Sequence, residues 1–114
     1  MEHPQRGFVY WTRIPDEPGG KQRPALVVSA DVRNRLANDC IVCPISSHVR
    51  PAPTHVVLRE REGGLPQRSV IKCEQVTTLM KSRLASVPLG GPLSTSRIRE
   101  VEVAILRALE ILVA

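Results

Sequence analysis

The stretch PALVVSADVRNRLANDCIVCPIS, residues 24–46, decides the fold. It opens and closes with runs of apolar and β-branched residues, which predict two strands at 24–29 and 39–46. The polar connection between them, residues 30–38, is long enough only for a short helical turn. The second strand is apolar on both faces, which is typical of a strand in the middle of a sheet. The sequence therefore predicts a central pair of strands around which the rest of the chain is arranged.

An arginine precedes the first of these strands. A proline restricts the residue before it to extended geometry, so Pro24 holds Arg23 at the rim of the sheet. If the two strands pair antiparallel with Ser29 opposite Cys40, the same register places Arg23 beside Ser46. A parallel crossover would instead separate these two residues. Surface arginines and serines are common, so the spacing alone also fits an ordinary surface arginine and a serine at the start of a loop.

Further elements extend outward from this pair. Apolar and β-branched runs predict additional strands at 7–14, 54–59, 68–76 and 84–89, with one helical turn before the last. From Ser94 to Leu112 the apolar period changes to that of an amphipathic helix, and its predicted buried face comprises Ile98, Val101, Ile105, Leu109 and Leu112. Ser94 is the predicted N-cap. We expect one α+β domain over residues 1–114, mainly β: an antiparallel sheet or small barrel with a C-terminal α-helix.

The composition restricts the function and the location. The formal net charge is +5, from 16 Lys+Arg against 11 Asp+Glu, which favours a polyanionic partner or serves solubility. The N-terminus has no apolar signal segment and the chain has no apolar run long enough for a membrane span, so the expected location is the cytoplasm. Cys40 and Cys43 form a CxxC, but strand positions three apart point to opposite faces. We therefore expect buried core thiols and no metal site.

The order of short motifs along the chain resembles one known family. RGFVYW, GGKQRPALVVS, VCPISS, PTHV, GL followed by SV, and EQV followed by T occur in the order typical of the MazF/PemK (Kid) toxin endoribonucleases. The resemblance covers roughly residues 6–112. It implies an SH3-like or CcdB-like β-barrel, a homodimer, and cleavage of single-stranded RNA at short sequences with no metal or other cofactor. It also implies a 2′,3′-cyclic phosphate product and inhibition by the acidic segment of a cognate antitoxin.

The resemblance assigns the catalytic residues Arg23 and Ser46. An arginine fork and a hydroxyl suit a phosphate and the charge that develops on it. Among substrate-binding candidates, the resemblance points to Glu17 and Gln75, where Gln75 is expected on the 68–76 strand. The residue types and positions suggest Lys21, Ser47 and His48. Loops 16–22, 47–53 and 60–67 are candidates for reading bases.

Proton transfer is less determined. His48, Glu17 or His55 could supply the base or acid, although His48 also fits a solvated loop histidine and His55 a structural role. Tyr10 and Trp11 face opposite sides of their strand, so only one side of this pair can meet RNA. Two other functions fit the residues: a non-catalytic barrel of the same fold that binds a protein target, and an RNA-binding module that leaves RNA intact.

Overall fold

The computed structural model describes residues 3–13 and 21–112. Its strands are β1 (Val9–Arg13), β2 (Gln22–Val27), β3 (Asp39–Ser46), β4 (His55–Leu58), β5 (Ser69–Lys72) and β6 (Thr77–Met80). The helices are α1 (Asp31–Leu36), between β2 and β3, and α2 (Thr95–Ala108), near the C-terminus. Short 3-10 turns lie at Glu62–Gly64, Cys73–Gln75 and Lys81–Arg83. The predicted class, mainly β with a C-terminal helix, is confirmed.

All strand pairs are antiparallel, and β3 is the centre of the arrangement. The order is β1-β2-β3-β5-β4, and β6 also pairs with β3. The first half of β3 pairs with β6, whereas Ile45 and Ser46 at its end pair with β5. Pro44 lies between these two ladders, at the point where β3 changes partner. Over the described ranges the sheet does not close into a full barrel. A single β-bridge, between Thr12 and Leu84, lies on the edge of β1 that does not pair with β2.

The register between β2 and β3 is the predicted one. Leu26 pairs with Cys43, and Val27 pairs with Val42, which is the alignment that follows from setting Ser29 opposite Cys40. Continued to the end of the strands, this register places Arg23 across from Ser46. The antiparallel alternative is therefore correct and the parallel crossover is not.

Buried polar groups fix the crossover between these two strands. Asn34 of α1 is fully buried and donates from Nδ2 to the carbonyl oxygen of Ser29 at 2.9 Å. The Ser29 hydroxyl donates to the Asn34 side-chain oxygen and accepts from the Ile41 N–H at 2.9 Å. Because each buried group has a partner, the crossover contributes no unsatisfied polar atom that would favour another path.

The core covers both faces of β3. One cluster includes Leu26, Cys43 and Ile45 and packs against α2 through Val101, and the other includes Cys40 and Val42. Cys40 and Cys43 thus lie on opposite faces in free, buried form, as the strand alternation predicts. No helix within residues 3–13 and 21–112 is both long and apolar enough to cross a membrane.

Helix α2 begins where predicted and ends earlier. The Ser94 side chain accepts a hydrogen bond from the Arg97 N–H at 3.2 Å, which confirms the N-cap. At the C-terminus Glu110 has a φ of 58°, and the Ile111 N–H donates to the Leu106 carbonyl at 2.9 Å. This left-handed turn closes the helix. Leu109 and Leu112, predicted as core, are instead 59% and 98% exposed.

Two strand predictions are wrong. The sixth strand is Thr77–Met80 and not 84–89. The 84–89 segment runs beside β1 and contacts it through the bridge at Leu84 and isolated backbone hydrogen bonds, without forming a strand. The fifth strand stops at Lys72, because Cys73 begins a 3-10 turn; the Cys73 N–H still donates to the Thr54 carbonyl at 3.0 Å, in register with the β4–β5 ladder. Gln75 is therefore an exposed residue of that turn and does not lie on a strand.

Candidate active site

A cavity of about 150 Å³ opens where β2 begins and β3 ends. Its polar lining is made by Gln22, Arg23, Ser46, Ser47, Gln67 and Ser69. Its apolar lining is made by Trp11, Pro24, Ile45, Leu65 and Pro66. The two residues that the sequence pairs across the sheet rim, Arg23 and Ser46, therefore share one cavity.

The backbone of Arg23 is held on both sides. It pairs with Thr12 of β1, and the buried Thr12 hydroxyl donates to the Arg23 carbonyl oxygen at 2.9 Å. Pro24 follows it and restricts its backbone to extended geometry. The Arg23 residue is exposed at this rim, so a guanidinium fork of five N–H donors is carried at the cavity by a rigid strand end.

Ser46 is the last residue of β3 and is half-buried. Its Oγ accepts a hydrogen bond from the His48 N–H at 3.0 Å. This contact uses an oxygen lone pair and leaves the hydroxyl proton available to donate. The local turn thus fixes the position of the Ser46 oxygen while keeping it suitable as a donor to an anionic oxygen.

Trp11 forms the aromatic wall of the cavity. It is 36% exposed and pairs across β1 and β2 with Pro24, whereas its neighbour Tyr10 is 2% exposed and belongs to the core. The two side chains therefore face opposite sides of β1, as predicted. The sequence reasoning did not assign Trp11 to the site, although its place on the face opposite Tyr10 was the available signal.

The 60–67 loop supplies the opposite wall. Leu65 is buried, and Pro66 and Gln67 are exposed beside the cavity. The buried Ser69 hydroxyl donates to the Gln67 carbonyl at 2.9 Å, which fixes the end of the loop to the start of β5. The loop was predicted as a recognition candidate, but Gln67 and Ser69 were not singled out, because their place at the cavity depends on the pairing of β5 with β3.

The other predicted substrate-binding residues are divided by the structure. Ser47 lines the cavity. Lys21 is exposed one position before β2, His48 contacts Ser46 through its backbone, and Gln75 lies in the 73–75 turn; the three are not cavity-lining residues. Glu17 falls outside the described residues.

His55 is engaged away from the cavity. Its Nδ1 lies 2.8 Å from the Arg50 carbonyl oxygen, and its Nε2 lies 3.1 Å from the Glu74 carboxylate. The Thr54 hydroxyl also donates to Glu74, at 3.0 Å. Burial raises the pKa of Glu74, but hydrogen bonds from its own backbone, His55 and Thr54 outweigh burial and leave that pKa below its ordinary value. His55 therefore ties the 50–54 segment to the 73–75 turn, in keeping with the structural role.

The cavity combines three elements that a phosphodiester-binding site needs. Arg23 supplies a permanent positive charge, Ser46 supplies a neutral donor, and Trp11 supplies an aromatic face for a base. Within the described parts of the chain, no group of three or more His, Cys, Asp or Glu side chains is arranged to hold a metal ion. The arrangement can bind a phosphate between two strands and a nucleobase beside it.

Similarity to known proteins identifies the family of the chain. A family model described as PemK-like, MazF-like toxin of type II toxin-antitoxin system matches residues 5–109. Endoribonuclease EndoA of Bacillus subtilis (strain 168) is 36% identical over 85 residues, which cover 70% of this chain and 73% of that protein.

Solved structures give the same result. An endoribonuclease from Mycobacterial species, in complex with its cognate antitoxin, matches with a TM-score of 0.80 at 25% identity, covering 97% of this chain and 99% of that one. The Mycobacterium tuberculosis toxin MazF-mt6 matches with a TM-score of 0.79 at 25% identity, covering 92% and 98%. The chain therefore belongs to the PemK-like, MazF-like toxins of type II toxin-antitoxin systems.

Proposed function

We propose that this toxin is a sequence-specific endoribonuclease that cleaves single-stranded RNA without a metal ion. The observation that carries the proposal is the shared cavity of Arg23 and Ser46, with Trp11 as its aromatic wall. The likeness to a Bacillus subtilis protein named as an endoribonuclease supports the same activity. We further propose that the whole chain forms one domain, acts as a homodimer, and works in the cytoplasm, where messenger RNA is found.

The proposed reaction uses the 2′-hydroxyl of the substrate as nucleophile. Attack on the adjacent phosphorus places a second negative charge on the phosphorane oxygens as the bond to the 5′-oxygen breaks. Arg23 neutralises this charge, and the Ser46 hydroxyl donates to a phosphorane oxygen. The products are a 2′,3′-cyclic phosphate and a 5′-hydroxyl. Both residues also hold the phosphate in line for attack, which lowers the entropic part of the barrier.

Two proton transfers complete the reaction. The 2′-hydroxyl loses one proton and the leaving 5′-oxygen gains one. Arginine is a poor base because its pKa lies above ~12. His48 follows Ser46 by two residues and its backbone is anchored to the Ser46 oxygen, so we assign one transfer to its imidazole or to Glu17, four positions before Lys21 in the sequence. His55 is removed from this role by its contacts with Arg50 and Glu74.

Inhibition by a cognate antitoxin is part of the proposal. The net charge of +5 favours an acidic partner segment, which folds as it binds and covers the cavity. One of the matched structures is itself a complex with a cognate antitoxin. Within the cavity we assign Trp11 to stacking on a base and Gln67 and Ser47 to hydrogen bonds with the RNA. Lys21, exposed just before β2 and outside the cavity lining, is assigned to a charge contact with the RNA backbone.

The test is incubation of purified protein with mixed-sequence RNA in excess EDTA, followed by mapping of the new 5′ ends. We expect cleavage at one short sequence by the parent and by Arg35→Ala, a control arginine on α1 that does not line the cavity. Arg23→Ala should lose activity by at least about a hundredfold, the scale for removing one donor to a developing charge. Equal cleavage by Arg23→Ala would refute the role of that residue.

The same experiment distinguishes the two other functions. RNA that is bound in a salt-dependent manner but stays intact would replace the nuclease by an RNA-binding module. RNA that is neither bound nor cut would favour the barrel that binds a protein target.

A further inference from the structure

Cys43 and Cys73 lie opposite each other in the sheet. The ladder between β3 and β5 pairs Ile45 with Ile71 and Ser46 with Val70. Continued by two residues toward the start of β3, this register sets Cys43 against Cys73, at the point where β5 passes into the 73–75 turn. Residues directly opposite in an antiparallel pair have Cα atoms about 4.5–5.5 Å apart. That spacing falls inside the range that a disulfide requires.

The two thiols are also together in the core. Both residues are 0% exposed and belong to the cluster between the sheet and α2. The Cys73 Sγ–H points toward the Ile71 carbonyl oxygen at 3.9 Å. Both cysteines are free in this structure. Cys40, by contrast, belongs to the cluster on the other face of β3.

We propose that Cys43 and Cys73 are an oxidisable pair that forms a disulfide in the presence of a hydroperoxide, and that this bond slows RNA cleavage. The second clause rests on the proposed endoribonuclease function. The first clause concerns only the thiols and stands without it.

The reaction balances with one equivalent of hydroperoxide. The first thiolate attacks the peroxide oxygen, forms a sulfenic acid and releases the alcohol or water. The second thiolate attacks the sulfenic sulfur, the S–S bond forms, and water leaves. Two electrons pass from the thiols to the peroxide. The neighbouring Cys73 thiol and burial raise the pKa of the Cys43 thiol, so in the folded core this thiol is protonated and unreactive. Oxidation therefore proceeds through local opening of the 73–75 turn, whose residues Glu74 and Gln75 are already exposed.

The bond would act on the candidate active site through β3. Cys43 lies three positions before Ser46 on the same strand. An S–S bond of about 2.05 Å is far shorter than any contact between two free thiols, so forming it fixes both side chains and restrains the second half of β3 against the start of the turn. The loop that the disulfide closes, residues 43–73, includes Ser46, Ser47 and the whole Leu65–Ser69 wall of the cavity. A shift of about 1 Å at such a site can reduce catalysis by up to a hundredfold.

The experiment uses the full chain carrying Cys40→Ser, in which Cys43 and Cys73 are the remaining cysteines. Folded protein is treated with hydrogen peroxide, denatured with an alkylating agent and digested with trypsin. We expect a cross-linked pair of peptides, 36–59 and 73–81, lighter by two hydrogens and separable by dithiothreitol. RNA cleavage should fall about tenfold or more on oxidation and recover on reduction.

The controls are Cys40→Ser combined with Cys73→Ala or with Cys43→Ala, each checked for folding by circular dichroism. Either variant, if folded, should lack the cross-link and keep its cleavage rate after mild peroxide treatment. Full alkylation of Cys43 and Cys73 in the peroxide-treated Cys40→Ser protein would refute formation of the disulfide. A cross-link with an unchanged cleavage rate would overturn its effect on activity. Reduced protein that cuts no RNA would instead overturn the proposed function, while the peptides would still decide the disulfide.

Discussion

Replacement of Ser46 by alanine separates two contributions of one oxygen. The Ser46 Oγ accepts from the exposed His48 N–H at 3.0 Å, and its proton is available to the phosphate. Loss of the first contact should cost only about 0.5–1 kcal/mol of stability, because water can replace the acceptor. Loss of the second should raise the barrier by about 2.7–4 kcal/mol, or a factor of about 10²–10³ in rate. Ser46→Ala should thus be folded, slightly less stable and nearly inactive.

The assay is single-turnover cleavage of a short RNA that contains the mapped site, in EDTA, with thermal unfolding measured on the same samples. Ser46→Thr keeps both the acceptor and the donor and should cleave within about threefold of the parent. Ser82→Ala, an exposed serine that does not line the cavity, is the matched control and should be unchanged. A Ser46→Ala rate close to that of the parent would refute the reasoning, since no charge-stabilising donor would then have been lost.

Three further changes test the site and the fold around it. Trp11→Ala should weaken RNA binding by about 1–3 kcal/mol, measured by fluorescence anisotropy, whereas Trp11→Phe should retain most of the affinity; equal affinities would exclude stacking. Glu62→Gln removes the charge that accepts two 2.9 Å hydrogen bonds from Arg97 and keeps an acceptor for only one of them, so it should cost about 1–3 kcal/mol in urea unfolding at neutral pH. The hydrogen bonds from Arg97 lower the pKa of Glu62, so the extra stability of the parent over Glu62→Gln is complete above the ordinary pKa of 4.5 and is lost as pH falls through the lowered pKa. A stability difference that persists in acid would contradict this. Gly64→Ala should lose at least ~2 kcal/mol of stability, because φ is 87° and the added Cβ would lie 2.5 Å from the Leu89 carbonyl group. At Gly91 an added Cβ meets no atom within 4 Å, so Gly91→Ala should fold normally. Similar melting temperatures for the two variants would argue against this backbone constraint.

The centre of the fold could be predicted because local signals there agree. Apolar runs on both sides of a short polar connection fix β2 and β3, and side-chain alternation allows one register that buries both strands. With the two strands antiparallel and Ser29 opposite Cys40, Arg23 falls opposite Ser46; the structure excludes the parallel crossover that the sequence left open. The buried contacts between Ser29 and Asn34 strengthen this register, although their partners could be identified only in the structure.

The wrong elements lie where tertiary contacts decide between similar local patterns. TTLM and LASVPL are both short and apolar, and only the unpaired edge of the first half of β3 selects Thr77–Met80 as the strand. The run 68–76 reads as one strand, but a 3-10 turn at Cys73–Gln75 ends the strand before Gln75. At the end of α2 the apolar period continues through Leu112, while the left-handed Glu110 ends the helix first.

The predicted site was incomplete for the same reason. Arg23, Ser46 and Ser47 come from the β2–β3 pair and could be placed together. Trp11 and Gln67 come from β1 and from the loop before β5, so their presence at the cavity depends on pairings that periodicity does not reveal.

The structure divides the proposed catalytic tasks between strands and loops. Arg23 and Ser46 lie at the ends of β2 and β3, where the ladder and the Thr12 hydroxyl restrict backbone motion. Charge stabilisation gains most from such rigid placement, because donors that are already oriented need no reorganisation as the phosphorane forms. Of the proton-transfer candidates, His48 follows β3 and Glu17 lies outside the described residues. A substitution of His48 should change the pH dependence of cleavage more than the placement of the phosphate. Variants of Arg23 and Ser46 should therefore lose rate at every pH, whereas His48→Ala should lose one limb of the pH–rate profile if the imidazole transfers a proton. A uniform loss across pH for His48→Ala would assign that residue to binding and leave the proton transfer to Glu17.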